Sequence, residues 1–178
     1  MQKQVLALMA SALVLATPVA AMAKWQHFTA KNVGMTIKLN ETFKMTKNAK
    51  DEVDFDGTIY KHPCSFVLGK DTTMDWSKHT DKEIEAALVK GFSGEFHDFS
   101  VNNDDKGGIG DAQGRYIAFD ASEKGQKLEG YLTFSVVEGD LYSVMMFYTP
   151  GGDKLEKVAS DMISSADFID DNDSDNDN

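Results

Sequence analysis

The stretch Leu141–Tyr148, LYSVMMFY, constrains the fold more than any other part of the sequence. Nearly every position is apolar or aromatic, so both alternating faces of an extended segment would be hydrophobic. Such a strand needs cover on both sides, which predicts a position in the centre of a sheet rather than at its edge. A tight turn at Glu138-Gly139-Asp140 joins it to a second strand pattern at Leu128–Val137.

Other strand patterns precede this pair. Met35–Asn40 alternates apolar and polar residues, as in a strand with one buried face, and Phe43–Met45 is expected to continue it briefly. Val53–Phe55 and Thr58–Tyr60 flank Asp56-Gly57, a pair that supplies the positive φ angles of a tight turn, so we predict a hairpin there. Further strands are predicted at Ser65–Leu68, Phe99–Val101 and Arg115–Asp120.

Two amphipathic helices are predicted. Thr80-Asp81-Lys82-Glu83 has the form of a capping box, and an apolar face follows it at helical spacing. That face consists of Ile84, Ala87, Leu88, Gly91 and Phe92. We expect the charged residues of this helix, Glu85 among them, to face water. The second helix is predicted from Asp153, with Asp153 and Glu156 as a capping pair, to about Ser165.

The order of these elements indicates the fold class. Four or five strands are followed by a helix, three or four strands and a final helix. Short turns imply antiparallel neighbours, and two helices can cover the two faces of a sheet. We therefore predict an α+β protein with a mostly antiparallel sheet flanked by helices, an α/β/α sandwich, in a single domain of residues 24–169.

Five stretches of this domain also resemble the Mog1, PsbP and DcrB-like group of proteins. They are NVGMTIKLNETF, FDGTIY, TDKEIEAALVKGF, VVEGDLYSVMMFYT and LEKVASDMISSADF, and they are distributed over most of Trp25–Ile169. The similarity lies in the order and pattern of elements and includes no catalytic signature, and Asn40-Glu41 stands where such proteins often have a proline. The resemblance implies a Mog1/PsbP-like fold and an exported, non-enzymatic accessory protein that binds or assembles other proteins.

The first 23 residues have the form of a signal peptide. A short positive start precedes the apolar run Val5–Ala16, and Ala21-Met22-Ala23 is a small-x-small cleavage site. We predict cleavage after Ala23 and a periplasmic or secreted mature protein. The apolar run is too short to span a bilayer, and Lys24 rather than cysteine follows the cleavage site, so we expect no membrane anchor.

The charge balance disfavours polyanionic partners. The chain has 18 Lys and Arg against 29 Asp and Glu, a net charge of −11, and Arg115 is its one arginine. Binding to phosphate backbones requires clustered Lys and Arg. We therefore expect no nucleic acid and no anionic membrane surface as partner, whereas a cationic protein, a metal ion or a neutral ligand stays open.

The single cysteine, Cys64, cannot form an intramolecular disulfide, so the fold must rest on its apolar core. We predict a buried thiol, with a bridge between two chains as the alternative. The strand aromatics Tyr131, Tyr142, Phe147 and Tyr148 are predicted to fill the same core, with a ligand groove as their alternative role.

Three internal stretches have part of a chemical motif. Gly107–Gly114, within the turn-rich Asn102–Gly114, lacks the glycine or alanine that a dinucleotide fingerprint needs at Gln113, and a strand rather than a helix follows it, so we predict a flexible loop. His62-Pro63-Cys64 lacks further metal ligands at suitable spacing. The loop carboxylates Asp104-Asp105 and the serines lack a catalytic context. We predict no catalytic residue and no cofactor.

The chain ends in DDNDSDNDN, residues 170–178, where Asp171, Asp173 and Asp175 occupy the first, third and fifth positions of a calcium-loop pattern. Asn176 stands where that pattern has glycine, and the twelfth ligand does not exist in the chain. These three aspartates are the metal-ligand candidates that the sequence offers, and they are weak ones. We predict a disordered acidic tail with weak calcium binding at most.

Together these patterns predict an exported, soluble, non-catalytic binding or assembly protein of the cell envelope that contacts another, unidentified protein. We expect a monomer. Two alternatives stay open: a small secreted hydrolase-like enzyme whose site the sequence does not reveal, and a calcium-responsive protein that acts through its acidic tail.

Overall fold

The computed structural model describes residues 24–169. The predicted signal peptide, its cleavage after Ala23 and the predicted acidic tail, with Asp171, Asp173 and Asp175, lie outside the described residues. None of the helices in residues 24–169 is both long enough and apolar enough to cross a membrane. In chain order the elements are β1 (Trp25–Ala30), β2 (Met35–Asn40), β3 (Lys44–Ala49), β4 (Glu52–Ile59), β5 (His62–Asp71), α1 (Asp81–Glu95), β6 (His97–Gly107), β7 (Gly114–Glu123), β8 (Gln126–Val137), β9 (Asp140–Tyr148), α2 (Asp153–Ile163) and β10 (Asp167–Phe168).

The main sheet is antiparallel throughout and has seven strands in the order β3-β4-β5-β9-β8-β7-β6. Strand β9 lies at its centre, and both of its faces are buried, as the sequence predicted. Val144 and Met146 belong to one hydrophobic cluster, and Leu141 and Met145 belong to the other. The remaining strands, β1, β2 and β10, form a separate three-stranded sheet.

The two faces of the main sheet are covered differently. Helix α1 packs over β6 and β7 and buries Ile84 in the cluster that contains Leu132 and Phe134. On the opposite face, α2 packs together with the small sheet, so Leu155 and Met35 share one cluster. The fold is therefore mostly antiparallel sheet with two helices, and it is more sheet-rich than the predicted helix-flanked sandwich because part of one cover is itself a sheet.

The predicted hairpin at Asp56-Gly57 is wrong. Strand β4 continues through this pair to Ile59, and Gly57 lies opposite Cys64 in the ladder with β5. The turn lies instead at Tyr60-Lys61, whose φ angles are 50° and 71°. Both central residues of a type I′ turn need positive φ, and here two residues other than glycine adopt it.

Three boundaries also differ from the predictions. The segment after Phe43 does not continue β2 but forms β3, an edge strand of the main sheet. Strand β6 extends to Gly107, so Asp104 and Asp105 lie in an edge strand rather than a loop. Helix α2 has Gly152 as its N-cap, with a φ of 81° and no capping side chain, so the predicted Asp153 capping pair is wrong. The capping box of α1 is confirmed, because Thr80 and Glu83 each bond the other's backbone N–H.

Candidate functional site

A cleft of about 680 Å³ opens beside α1, at the end of the main sheet where the β3–β4 turn and the segment after β5 meet. Gly69 of β5 and Ser143 of β9 are register partners in its floor, and an added Cβ on Gly69 would lie 3.0 Å from the Ser143 Oγ. Ala87 and Leu88 of α1 form one wall. We call this the α1 cleft. The small side chains of Ser143 and Ala87, and the absence of one at Gly69, leave the space open.

Trp76 lines the same cleft and is held by its backbone. Its N–H donates to the Gly139 carbonyl oxygen over 2.8 Å, and its ring lies 5.7 Å from that of His79. The indole Nε1 is buried and makes no well-formed hydrogen bond within residues 24–169, although it lies close enough to Asp71 to affect that carboxylate. The indole nitrogen is thus covered by the protein, and the part of Trp76 that the cleft meets is its ring.

The carboxylate of Asp71 orders the segment that carries Trp76. It accepts hydrogen bonds from the Thr73 backbone N–H at 2.8 Å and the Thr73 hydroxyl at 2.6 Å. Burial acts to raise the pKa of Asp71, but these bonds and the nearby indole outweigh burial and leave that pKa below its ordinary value. Asp71 is therefore ionised at neutral pH and unsuited to donate a proton.

Charged residues line the α1 cleft. Lys47 pairs with Glu52 across the β3–β4 hairpin, whereas Lys70, although it belongs to the lining, pairs at 2.9 Å with Asp140, which does not line the cleft. Hydrogen bonds to Tyr142 and Asp140 raise the pKa of Lys70, whose ammonium also lies 5.0 Å from the Tyr142 ring centroid. The residues that line the cleft include neither histidine nor cysteine. Its chemistry is that of a mixed-charge binding surface with an aromatic wall.

A second concave surface lies on the opposite face of the main sheet, between α2 and the edge strand β6. It has two depressions of about 300 and 340 Å³, on either side of the stacked rings of Tyr116 and Tyr131, whose centroids are 5.3 Å apart. Burial raises the pKa of Tyr116 to about 12, despite its hydrogen bond with Ser160 of α2. We call this surface the α2 groove.

The first depression of the α2 groove is acidic. Asp120 of β7, Glu129 of β8 and Glu156 of α2 line it together with Tyr131 and Tyr148. Burial, followed by the charges of Glu156 and Asp120, raises the pKa of Glu129. None of the three carboxylates forms an ion pair with a described residue. The group therefore presents uncompensated negative charge to a ligand.

The glycine-rich loop is fixed rather than flexible, contrary to the prediction. Ile109 at its centre is fully buried, and its N–H donates to the Ser135 Oγ over 2.9 Å. The Ser135 hydroxyl donates to the Ala112 carbonyl oxygen, and the Thr133 hydroxyl lies 3.0 Å from the Gly108 carbonyl oxygen. These bonds bind the loop to β8 and direct its backbone inward.

The other predicted features fall in separate places. Cys64 is 4% exposed, as expected for a core thiol, and His62 lies 3.4 Å from the Thr149 hydroxyl.

Asp104 pairs with Arg115, which also lies 3.5 Å from Glu85 of α1. The prediction that Glu85 faces water is therefore wrong. Among residues 24–169, no group of three or more His, Cys, Asp or Glu side chains is arranged to hold a metal ion.

The strand aromatics are divided between core and surface. Tyr148 is buried, as predicted, whereas Tyr131, Tyr142 and Phe147 are half-buried and pack against the two clusters. The α1 cleft and the α2 groove were not found from the sequence, because each is built from several elements. The one sequence signal for the α2 groove was the alternative role of the strand aromatics as the lining of a ligand groove.

Comparison with known proteins identifies the fold. No family model matches the sequence, and no curated protein matches it. Among solved structures, cyanobacterial PsbP from Synechocystis sp. PCC 6803 matches with a TM-score of 0.61 and 9% identity, over 85% of this chain and 96% of that one. The Ran-binding protein Mog1p from Saccharomyces cerevisiae matches with a TM-score of 0.55 and 6% identity, over 83% and 97%. The domain therefore has the fold of PsbP and Mog1, as its sequence resemblance implied.

Proposed function

We propose that this protein is an exported, non-catalytic accessory protein of the cell envelope that binds another protein through the α1 cleft. The observation that carries the proposal is the cleft itself, which has an open floor at Gly69 and Ser143 and an aromatic wall at Trp76. Its neighbouring lysines and carboxylates suit a polypeptide, which offers both charges and many carbonyl acceptors.

The fold supports a binding role without specifying the partner. Mog1p, which shares this fold, is a Ran-binding protein. The lining of the α1 cleft contains no histidine or cysteine, and its Asp71 carboxylate is ionised, so the cleft offers no imidazole, no thiol nucleophile and no protonated Asp71. A fold alone does not determine function, so the proposal rests on the cleft.

Export follows from the sequence of the first 23 residues, with its apolar run and cleavage pattern. The mature chain would act in the periplasm or outside the cell as a soluble protein. Amino-terminal sequencing of the protein recovered from its native envelope fraction tests this step, because a chain that begins at Lys24 is expected and one that retains Met1 would contradict export by cleavage.

A pair of neighbouring alanines on α1 provides a matched test of the binding site. Ala86 and Ala87 are both exposed, but only Ala87 lines the cleft. Ala87→Trp should fill the space, whereas Ala86→Trp adds the same bulk outside it. The mature protein and both variants are cross-linked in the native envelope, and captured proteins are identified by mass spectrometry.

The expected result is a protein captured by the wild type and by Ala86→Trp but lost with Ala87→Trp. Circular dichroism of both variants shows whether the fold is retained. Equal capture by all three forms would place the contact elsewhere, and the absence of any specific captured protein would contradict the binding role.

A further inference from the structure

The α2 groove leaves part of the main sheet without cover. Strand β6 is the last strand of the sheet and is exposed along most of its length. Ala118 of β7 lies opposite Asn103 of β6, and its small side chain lowers the floor between β6 and α2. An antiparallel sheet can leave a polar face of this kind open to solvent, so the surface is accessible to a partner.

The wall that faces β6 is formed by successive turns of α2. Glu156, Ser160 and Ser164 are spaced four residues apart and line the two depressions. At 1.5 Å per residue this wall is about 12 Å long, the length of roughly four residues of an extended chain. The groove therefore fits a short extended segment better than a helix.

Charge specifies what this segment carries. Asp120, Glu129 and Glu156 meet at one end of the groove, and no described lysine or arginine pairs with them. Like charges so placed repel one another, and a bound cation removes that repulsion. A metal ion is not favoured, because the three carboxylates do not form a metal-holding cluster.

Aromatic rings favour an organic cation further. Tyr131 lies in the acidic depression, 6.1 Å from the buried Tyr148 ring and stacked on Tyr116. A guanidinium or ammonium group can contact a ring face and a carboxylate together, and arginine does so most effectively because it is planar. The depression of about 300 Å³ is large enough for one such side chain.

We propose that the α2 groove binds an extended segment of another polypeptide, with an arginine or lysine side chain seated among Asp120, Glu129 and Glu156 beside Tyr131. The second depression, lined by Lys106, Thr133 and Ser160, receives a polar part of the same segment. The groove lies on the opposite face of the main sheet from the α1 cleft. A protein with two such surfaces can hold two polypeptides at once, as an assembly factor does.

A peptide titration tests this site independently of the α1 cleft. The isotope-labelled mature chain is titrated with the acetylated, amidated peptide Ser-Val-Arg-Val-Ser and followed by amide NMR. The same peptide with glutamine in place of arginine keeps length and polarity but removes the charge. We expect arginine-dependent shifts at Ala118, Glu129, Tyr131 and Glu156, and binding that weakens as salt is raised.

Variants identify the charges responsible. Glu129→Gln and Glu156→Gln should each weaken arginine-peptide binding by about three- to tenfold. Asp161→Asn removes the same charge from an exposed position of α2 that does not line the groove, and should leave binding unchanged.

The outcomes separate the two sites. Groove shifts that appear with the arginine peptide and are reduced in the two glutamine variants support the proposal, whatever the result of Ala87→Trp. Shifts of equal size with the glutamine peptide, shifts that Asp161→Asn reduces equally, or no groove shifts at millimolar peptide would each overturn it. Shifts confined to Trp76 and Ala87 would also overturn it and would support the α1 cleft alone.

Discussion

The ring of Phe43 occupies the space that any side chain at position 57 would need. A Cβ added to Gly57 would lie 2.6 Å from the Phe43 Cγ and 2.8 Å from its Cα, distances that non-bonded carbon atoms do not adopt. Phe43 is buried and packs edge to face on Phe66, with ring centroids 5.4 Å apart. Gly57 is thus required by packing, inside a strand, and not by a turn.

Gly57→Ala should therefore destabilise the fold although alanine suits a strand better than glycine does. We expect a loss of about 1–3 kcal/mol in the free energy of unfolding, because both the ring and the backbone of Phe43 must move. Urea denaturation measures it. The control is Gly91→Ala on α1, where an added Cβ meets nothing within 4 Å, and where a gain of roughly 0.5–1 kcal/mol is expected. A neutral Gly57→Ala would contradict the packing role.

This glycine shows why the hairpin prediction failed while others succeeded. An Asp-Gly pair is a local turn signal, but Gly57 is required because the side chain of Phe43, fourteen positions earlier, packs against it. No local pattern reveals such a contact. The helix start at Thr80 and the central position of β9 depend on local capping and on alternation within one strand. Those features could be predicted because their causes lie within a few residues.

Ser135→Ala should release the glycine-rich loop. The Ser135 hydroxyl accepts from the Ile109 N–H and donates to the Ala112 carbonyl oxygen in a fully buried position. Loss of the hydroxyl leaves a buried N–H without its partner, so we expect destabilisation by about 1–3 kcal/mol. Hydrogen exchange should accelerate at Ile109 and Ala112. Ser93→Ala, at an exposed position of α1, is the control, and unchanged exchange in the loop would show that other contacts hold it.

The acidic depression could not have been predicted for a related reason. Asp120, Glu129 and Glu156 lie on three different elements, and each alone looks like an ordinary surface carboxylate. Only the pairing of β7 with β8, which places Asp120 opposite Glu129, and the packing of α2 bring them together. The α1 cleft likewise combines a helix, a hairpin turn and the floor of two strands.

Arg115→Met should destabilise the protein in a pH-dependent way. Arg115 and Glu85 are 14% and 17% exposed, and Arg115 also pairs with Asp104. Without the guanidinium, the Glu85 carboxylate remains half-buried beside Asp104, so we expect a loss of about 2 kcal/mol at pH 7.

The pH dependence follows from the pKa of Glu85. Burial, then the charge of Asp104, raises that pKa above its ordinary 4.5 in the folded protein, so the penalty is present above the folded pKa and disappears below 4.5. The defect of Arg115→Met should shrink as pH falls through this window in urea denaturation. Adding Glu85→Gln should restore much of the stability at pH 7, whereas Lys90→Met, at an exposed position whose charge does not act on Glu85, should change little. A defect that stayed constant with pH would assign it to lost packing.

Cys64 should resist modification in the folded protein. Its side chain is 4% exposed, and burial, with a smaller effect from Asp56, raises the pKa of the thiol above its ordinary value. The reactive thiolate is therefore scarce and inaccessible. A disulfide reagent should label Cys64 rapidly in concentrated urea but not in buffer at the same pH. Rapid labelling of the native protein, or a dimer that reducing agent dissociates, would instead support the bridge between chains.

Glu129→Gln should stabilise the folded protein while it weakens binding in the α2 groove. Burial, then Glu156 and Asp120, raises the pKa of Glu129 above its ordinary 4.5, so the folded state binds its proton more tightly than the unfolded state does. Ionised Glu129 is less favourable in the folded protein than in the unfolded one, so the folded protein loses stability as pH rises from 4.5 through the folded pKa of Glu129. The neutral amide side chain introduced by Glu129→Gln avoids that loss. We expect a gain of about 0.5–1 kcal/mol at pH 7 that vanishes near pH 4, with Asp161→Asn as the exposed control. A Glu129→Gln protein less stable than wild type at pH 7 would contradict this account of the groove.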